Sequence, residues 1–174
     1  MFKKGLAVFA VACLGGGAFA GFALSTSRDQ PNFHDLTLRG KVDKAFMVMT
    51  KTGALTFTSA SFTNLTADTI PVPASGNYRA IVRFSAESQC SAASWCSADI
   101  FVDGVEANPK VGSDFAFDSP GGSAFDSLSM DRTSDVIAGT GSVRNVEIRV
   151  DVAVIGGGSW RLDDWSVVTE LIKV

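Results

Sequence analysis

The chain has 174 residues, with 15 basic and 18 acidic side chains and a net charge of −3. No basic cluster occurs beyond the first residues, so binding to nucleic acid through phosphate neutralisation has no electrostatic footprint. Docking on a membrane surface through lysine and arginine is equally unsupported.

In chain order, the first two dozen residues read as an export signal. Lys3 and Lys4 form a positive n-region, an apolar run spans Leu6 to Leu14, and small residues end in Ala18-Phe19-Ala20, the pattern preferred by signal peptidase. Cleavage before Gly21 would leave 154 residues, a single-domain length, with 13 basic against 18 acidic side chains. Two other readings compete. The stretch from Gly5 to Leu24 is nearly long enough to span a bilayer, though its glycine cluster argues against a retained anchor. Ala10-Val11-Ala12-Cys13 resembles a lipoprotein cleavage box that would lipidate Cys13, but it lacks the usual leucine. The expected destination is the periplasm, the cell surface or the medium, with no membrane association after cleavage.

Residues 21–42 are polar and irregular, including Arg28, Pro31, His34 and Asp35, and read as a flexible lead-in or a loosely docked strand. From residue 43 to 174 the dominant period is two. "NYRAIVRFSA" sets Tyr78, Ala80, Val82, Phe84 and Ala86 on one face; "CSADIFVD" sets Cys96, Ala98, Ile100 and Val102 against Ser97, Asp99, Phe101 and Asp103. "RNVEIRVDVAVI" alternates most cleanly, with Val146, Ile148, Val150, Val152 and Val154 inward. Further strands are expected at 45–50, 55–58, 69–72, 114–118 and 165–174. Turn signals separate them, among them Asp103-Gly104, Gly139-Thr140-Gly141 and Gly156-Gly157-Gly158. Many short strands with frequent turns and no helical stripe predict an all-β, two-sheet antiparallel β-sandwich of jelly-roll type.

Cys90 and Cys96 are the two cysteines left once Cys13 departs with the signal, and an even pair in an exported chain reads as a disulfide. Five residues intervene, so this is no C-x-x-C redox motif. Zinc would need two more ligands, and the single histidine, His34, lies far away in the lead-in. The pair is expected to clamp the tip of a hairpin, stabilising it by roughly 2.4 kcal/mol in the chain-entropy account of a short loop.

The acidic residues form no expected catalytic pair. Asp163 and Asp164 are adjacent and would point to opposite sides of a strand, and Asp99 and Asp103 would stand roughly 13 Å apart along one face. Asp131 and Asp135 in "SMDRTSD" suit either a calcium-binding loop or a capped turn before a strand, with the turn preferred. No metal or other cofactor is therefore assigned. There is no G-x-S-x-G elbow and no H-E-x-x-H, and the "GGGSW" and "PGGSA" stretches lie in turns rather than in a phosphate-binding strand-to-helix loop. The chain is read as a non-enzyme.

The tryptophans remain. Trp95 on the clamped loop and Trp160 after the triple glycine are the candidate ligand-binding residues, because an indole offers an amphipathic platform to a sugar ring or a protein. Capping of the core is the preferred reading for Trp160 and Trp165.

Together "RFSAESQC…WCSADIFVDG", "DFAFDS", "SMDR" and "WRLDDWSV" resemble a group of exported bacterial jelly-roll proteins, generally labelled uncharacterised and similar in layout to the C1q and tumour-necrosis-factor-like fold. The resemblance covers residues 77–174. It implies fold and export, and carries over no catalytic or binding residue. The functional expectation is an exported structural or assembly module, its partner a second copy of itself through outward apolar positions such as Ile81, Phe101 and Ile155. The alternative is a module binding a surface glycan or protein through loop tryptophans.

Overall fold

The computed structural model describes residues 35–41, 45–91, 95–110, 116–121 and 124–174, with the backbone alone for 35–41 and 45. The expected export signal, Cys13, His34 and Asp114 lie outside the described residues.

The described chain forms eleven strands and no helix: β1 Asp35–Lys41, β2 Ala45–Lys51, β3 Leu55–Phe57, β4 Thr63–Val72, β5 Asn77–Cys90, β6 Trp95–Val102, β7 Val105–Glu106, β8 Asp126–Thr133, β9 Ile137–Ala138, β10 Arg144–Ile155 and β11 Trp160–Lys173. They pair antiparallel in two sheets. One runs β1-β2-β11-β5-β8, with β3 also on β11 and β9 on β5; the other runs β4-β10-β6-β7. From β4 to β11 the chain shuttles between the sheets, which is jelly-roll winding. The expected two-sheet sandwich is the observed fold.

The inward rows follow the alternation. Val82 and Phe84 of β5, Ala98 and Ile100 of β6, and Val146 to Val154 at even positions of β10 are all fully buried. β-Branched residues suit such a pleated, packed surface. Asp103 and Gly104, with φ of 56° and 77°, form the left-handed pair that a two-residue β6–β7 hairpin demands.

Several boundaries differ from expectation. β1 begins inside the stretch read as lead-in and pairs along all of β2. β4 and β11 start earlier than expected, at Thr63 and Trp160. The expected 114–118 strand reduces, in its described part, to one bridge between Asp118 and Cys96. β8 was not expected at all. "DSLSMDRT" has only Leu128 and Met130 as apolar members of its inward row, and the next inward position holds Arg132, opposite Val82.

Cys90 and Cys96 are bonded, with Cα atoms 5.9 Å apart. Because β5 and β6 belong to different sheets, the bond is not the tip of a hairpin. It ties one sheet to the other at the end of the sandwich where Ser91 N–H and Oγ–H also reach Ser159 O.

Candidate functional site

The candidate tryptophans separate sharply. Trp160 is fully buried. Its Nε1–H donates to Ser88 Oγ at 2.7 Å, and Ser88 Oγ–H donates to Asp118 Oδ2 at 2.5 Å. Phe117 packs beside the indole, 5.8 Å between ring centroids, and meets Phe84 on its other side at 5.0 Å. Trp160 therefore presents no face to a ligand, and the core reading replaces the binding one. Trp95 is half-buried and sits opposite Ile155; its Nε1 is buried and has no hydrogen-bond partner among the described residues. Only part of that ring is open to a partner.

Asp131 and Asp135 do not converge. Asp131 lies in β8 and pairs with Arg83 Nε across the sheet at 2.8 Å, while Asp135 accepts from Asn108 Nδ2 at 2.9 Å. Among the described residues no group of three or more His, Cys, Asp or Glu is placed to hold a metal ion.

The second face of β6 is covered rather than wet. Asp99, expected to face water, is only 5% exposed. Burial pushes its carboxyl up to about 6, and the charges of Glu106 and Asp151 add to the rise, against the Ile100 N–H and Arg132. Arg132, also buried, has its guanidinium pKa lowered by burial, with Asp99, Glu106 and Asp131 opposing. Nearby, the Arg149 guanidinium lies over the Phe101 ring at 4.5 Å.

A concave feature lies along one edge of the sandwich, where β2 and β3 of one sheet approach β4 of the other. Two bulges flank it. In β11, Asp163 pairs with Glu87 and Ser166 with Ser85, so Asp164 and Trp165 together oppose the single residue Ala86. Asp164 takes a left-handed φ of 43°, a strained backbone for a non-glycine residue. The extra residue switches the inward parity from Trp160 and Leu162 to Trp165, Val167 and Leu171. It also corrects the expectation for the two aspartates: both fall outside the inward row, on the far side of the strand from Trp165.

At the same level β11 changes neighbour, pairing with β3 up to Leu162 and with β2 from Trp165 onward. In the facing sheet β4 bulges too. Val150 pairs with Thr66 and Asp151 with Asn64, which skips Leu65. Between the bulges is an open cleft of about 270 Å³, lined by Met49, Leu55, Leu65 and Trp165 and by the polar residues Lys51, Thr66 and Asp68.

Those polar residues occupy inward positions. Lys51 continues the row of Met47 and Met49, and Asp68 and Thr66 continue that of Val72 and Ile70. Trp165 is 5% exposed, and its Nε1 is a buried donor with no hydrogen-bond partner among the described residues. Thr66 Oγ1–H points at the Met49 thioether, 3.6 Å away, a weak acceptor. The cleft is therefore open and mostly polar at its accessible surface, with one cationic and one anionic side chain among its walls.

No family model matches the chain, and no curated protein or solved structure is significantly similar to it.

Proposed function

We propose that this protein is an exported, non-catalytic binding module that takes a small ligand into the Trp165 cleft. The reading is carried by the paired bulges, which lie at one level of the sandwich edge and set Trp165 in the wall of the cleft between them. The inter-sheet disulfide suits an extracellular or periplasmic setting. Export and the resemblance to exported jelly-roll proteins belong to the same proposal. The ligand-binding role moves from Trp95 and Trp160 to Trp165.

The test is ligand-observed saturation-transfer NMR with a mixture of monosaccharides, amino acids and small carboxylates. We expect at least one component to receive saturation from the wild-type protein and to lose it in Thr66→Phe, which fills the cleft. Absence of any transfer, or transfer unchanged in Thr66→Phe, overturns the reading.

A specific observation also favours self-association. The positions proposed from the sequence contribute little, since Ile81, Phe101 and Ile155 are half-buried and Phe101 lies under Arg149. Among the described residues the large hydrophobic side chains that are exposed, Val105, Val136, Val143 and Val174, all stand at the end of the sandwich where the β4–β5, β6–β7 and β9–β10 turns meet. Light scattering after size exclusion should show an oligomer that Val143→Asp disperses; a wild-type monomer at high micromolar concentration removes this reading.

A further inference from the structure

Away from the cleft, we infer that the free edge of β8 pairs antiparallel with β8 of a second copy, joining the larger sheets of two molecules across a two-fold axis at Ser129. The last residue of β8 fixes its hydrogen-bonding direction. Thr133 stands opposite Ile81 of β5, yet its N–H and C=O bond to Asn108 at 2.8 and 2.7 Å, on the side away from β5. The register from Ser88↔Asp126 to Ile81↔Thr133 is unbroken, so alternate residues share that direction. Ser127, Ser129 and Asp131 therefore also turn their backbone groups outward, and all three are exposed. Among the described residues no strand lies beyond β8, and the bridge to Asn108 is the only pairing on that edge.

This edge is complementary to itself. An axis at Ser129 sets Ser129 against Ser129 of the second copy, and Ser127 against its Asp131 in both directions, so every outward residue gains a partner. Each Asp131 then meets a serine hydroxyl, and Leu128 lies across from Met130 in the inward row. An axis at Asp131 would instead set two carboxylates face to face and drive the second strand into Asn108. The Asp131 carbonyl accepts from Arg132 Nη1 at 2.9 Å and keeps its other lone pair for the new strand. Before Asp126 the chain leaves the edge, where the Arg161 guanidinium of β11 lies over the Phe125 ring at 5.1 Å. The edges of the smaller sheet are blunted by comparison: β7 has two residues, and β4 carries the Leu65 bulge and Pro71, which has no N–H to donate. β8 carries neither proline nor lysine.

Light scattering after size exclusion gives the mass of wild type and of Ser129→Pro, and non-reducing electrophoresis reads cross-linking of Ser129→Cys and Ser127→Cys after mild oxidation. Wild type should be a dimer at high micromolar concentration. Ser129→Pro removes an N–H that β5 does not use, and should be a monomer with an unchanged circular dichroism spectrum. In Ser129→Cys the new thiols face one another across Cα atoms roughly 5.5 Å apart, within disulfide reach, and should link two chains. In Ser127→Cys the Cα atoms would lie roughly 14 Å apart, and no link should form. Should proline unfold β8, the cysteine variants alone decide. A wild-type monomer overturns the inference, as does a dimer that a folded Ser129→Pro leaves intact or cross-linking equal in the two cysteine variants. Dispersal by Val143→Asp but not by Ser129→Pro assigns the interface to the exposed valines and overturns pairing through β8.

Discussion

Replacing Trp160 by alanine should destabilise the domain by about 3–5 kcal/mol, a large share of the total stability of an ordinary domain. The side chain is the largest that is fully buried among the described residues, and removing it leaves a void beside Phe117. It also removes the donor at one end of a buried chain, since Trp160 Nε1–H, Ser88 Oγ and Asp118 Oδ2 follow one another in hydrogen bonds. Trp160→Phe keeps most of the apolar volume and should cost clearly less. Ser88→Ala deletes the middle link, leaving a buried N–H and a mostly buried carboxylate without that partner, and should cost about 1–3 kcal/mol. Urea midpoints followed by circular dichroism measure all three. A Trp160→Ala protein within about 1 kcal/mol of wild type would show that the core closes over the site, and would refute the account of a rigidly packed indole.

The Asp99→Asn protein should be more stable than wild type at pH 8 and nearly equal to it at pH 4. The Asp99 carboxyl is raised from 3.8 to about 6, chiefly by burial and then by Glu106 and Asp151. In the folded state it therefore holds its proton over a range where the unfolded chain has released it. Its contribution is fully present below pH 3.8 and is lost as the pH rises through 6. The shift sets an upper bound of about 3 kcal/mol on the cost of an ionised Asp99. Asparagine keeps an acceptor for the Ile100 N–H, which the carboxylate holds at 2.8 Å, without the charge. Thermal or urea unfolding of both proteins across pH 4–8 reads the difference. A gap that stays constant with pH would show that Asp99 titrates like an exposed carboxylate.

What could be read in advance divides by physical cause. β10 and β5 were legible because each has one buried face, so a period of two is written directly into residues such as Val146 and Val82. Asp99 was misplaced because the outer face of β6 is also covered, and a covered polar face reads locally like a wet one. β8 escaped because Arg132 occupies an inward position and breaks the apolar row. The cleft depends on two bulges in strands about a hundred residues apart, at Leu65 and Asp164, and no local pattern joins them. Half of it did leave a trace. In "WRLDDWSV" the apolar residues move from even to odd positions across the two aspartates, which an unbroken strand cannot accommodate. The polar residues at the inward positions of Lys51, Thr66 and Asp68 were the second trace.

Chain order gives β11 a consequence for how the domain is made. β2, β3 and β5 all hydrogen-bond to β11, which comes after every other strand. A ribosome releases the chain from its N-terminus, so β2 and β3 wait for their permanent neighbour until residues 160–173 have emerged. The larger sheet therefore cannot close around a partial nascent chain. Folding is deferred until nearly the whole domain has been synthesised, and it must then proceed through distant pairings that form slowly. A polypeptide that stays open for so long is suited to being threaded through a narrow pore before it folds.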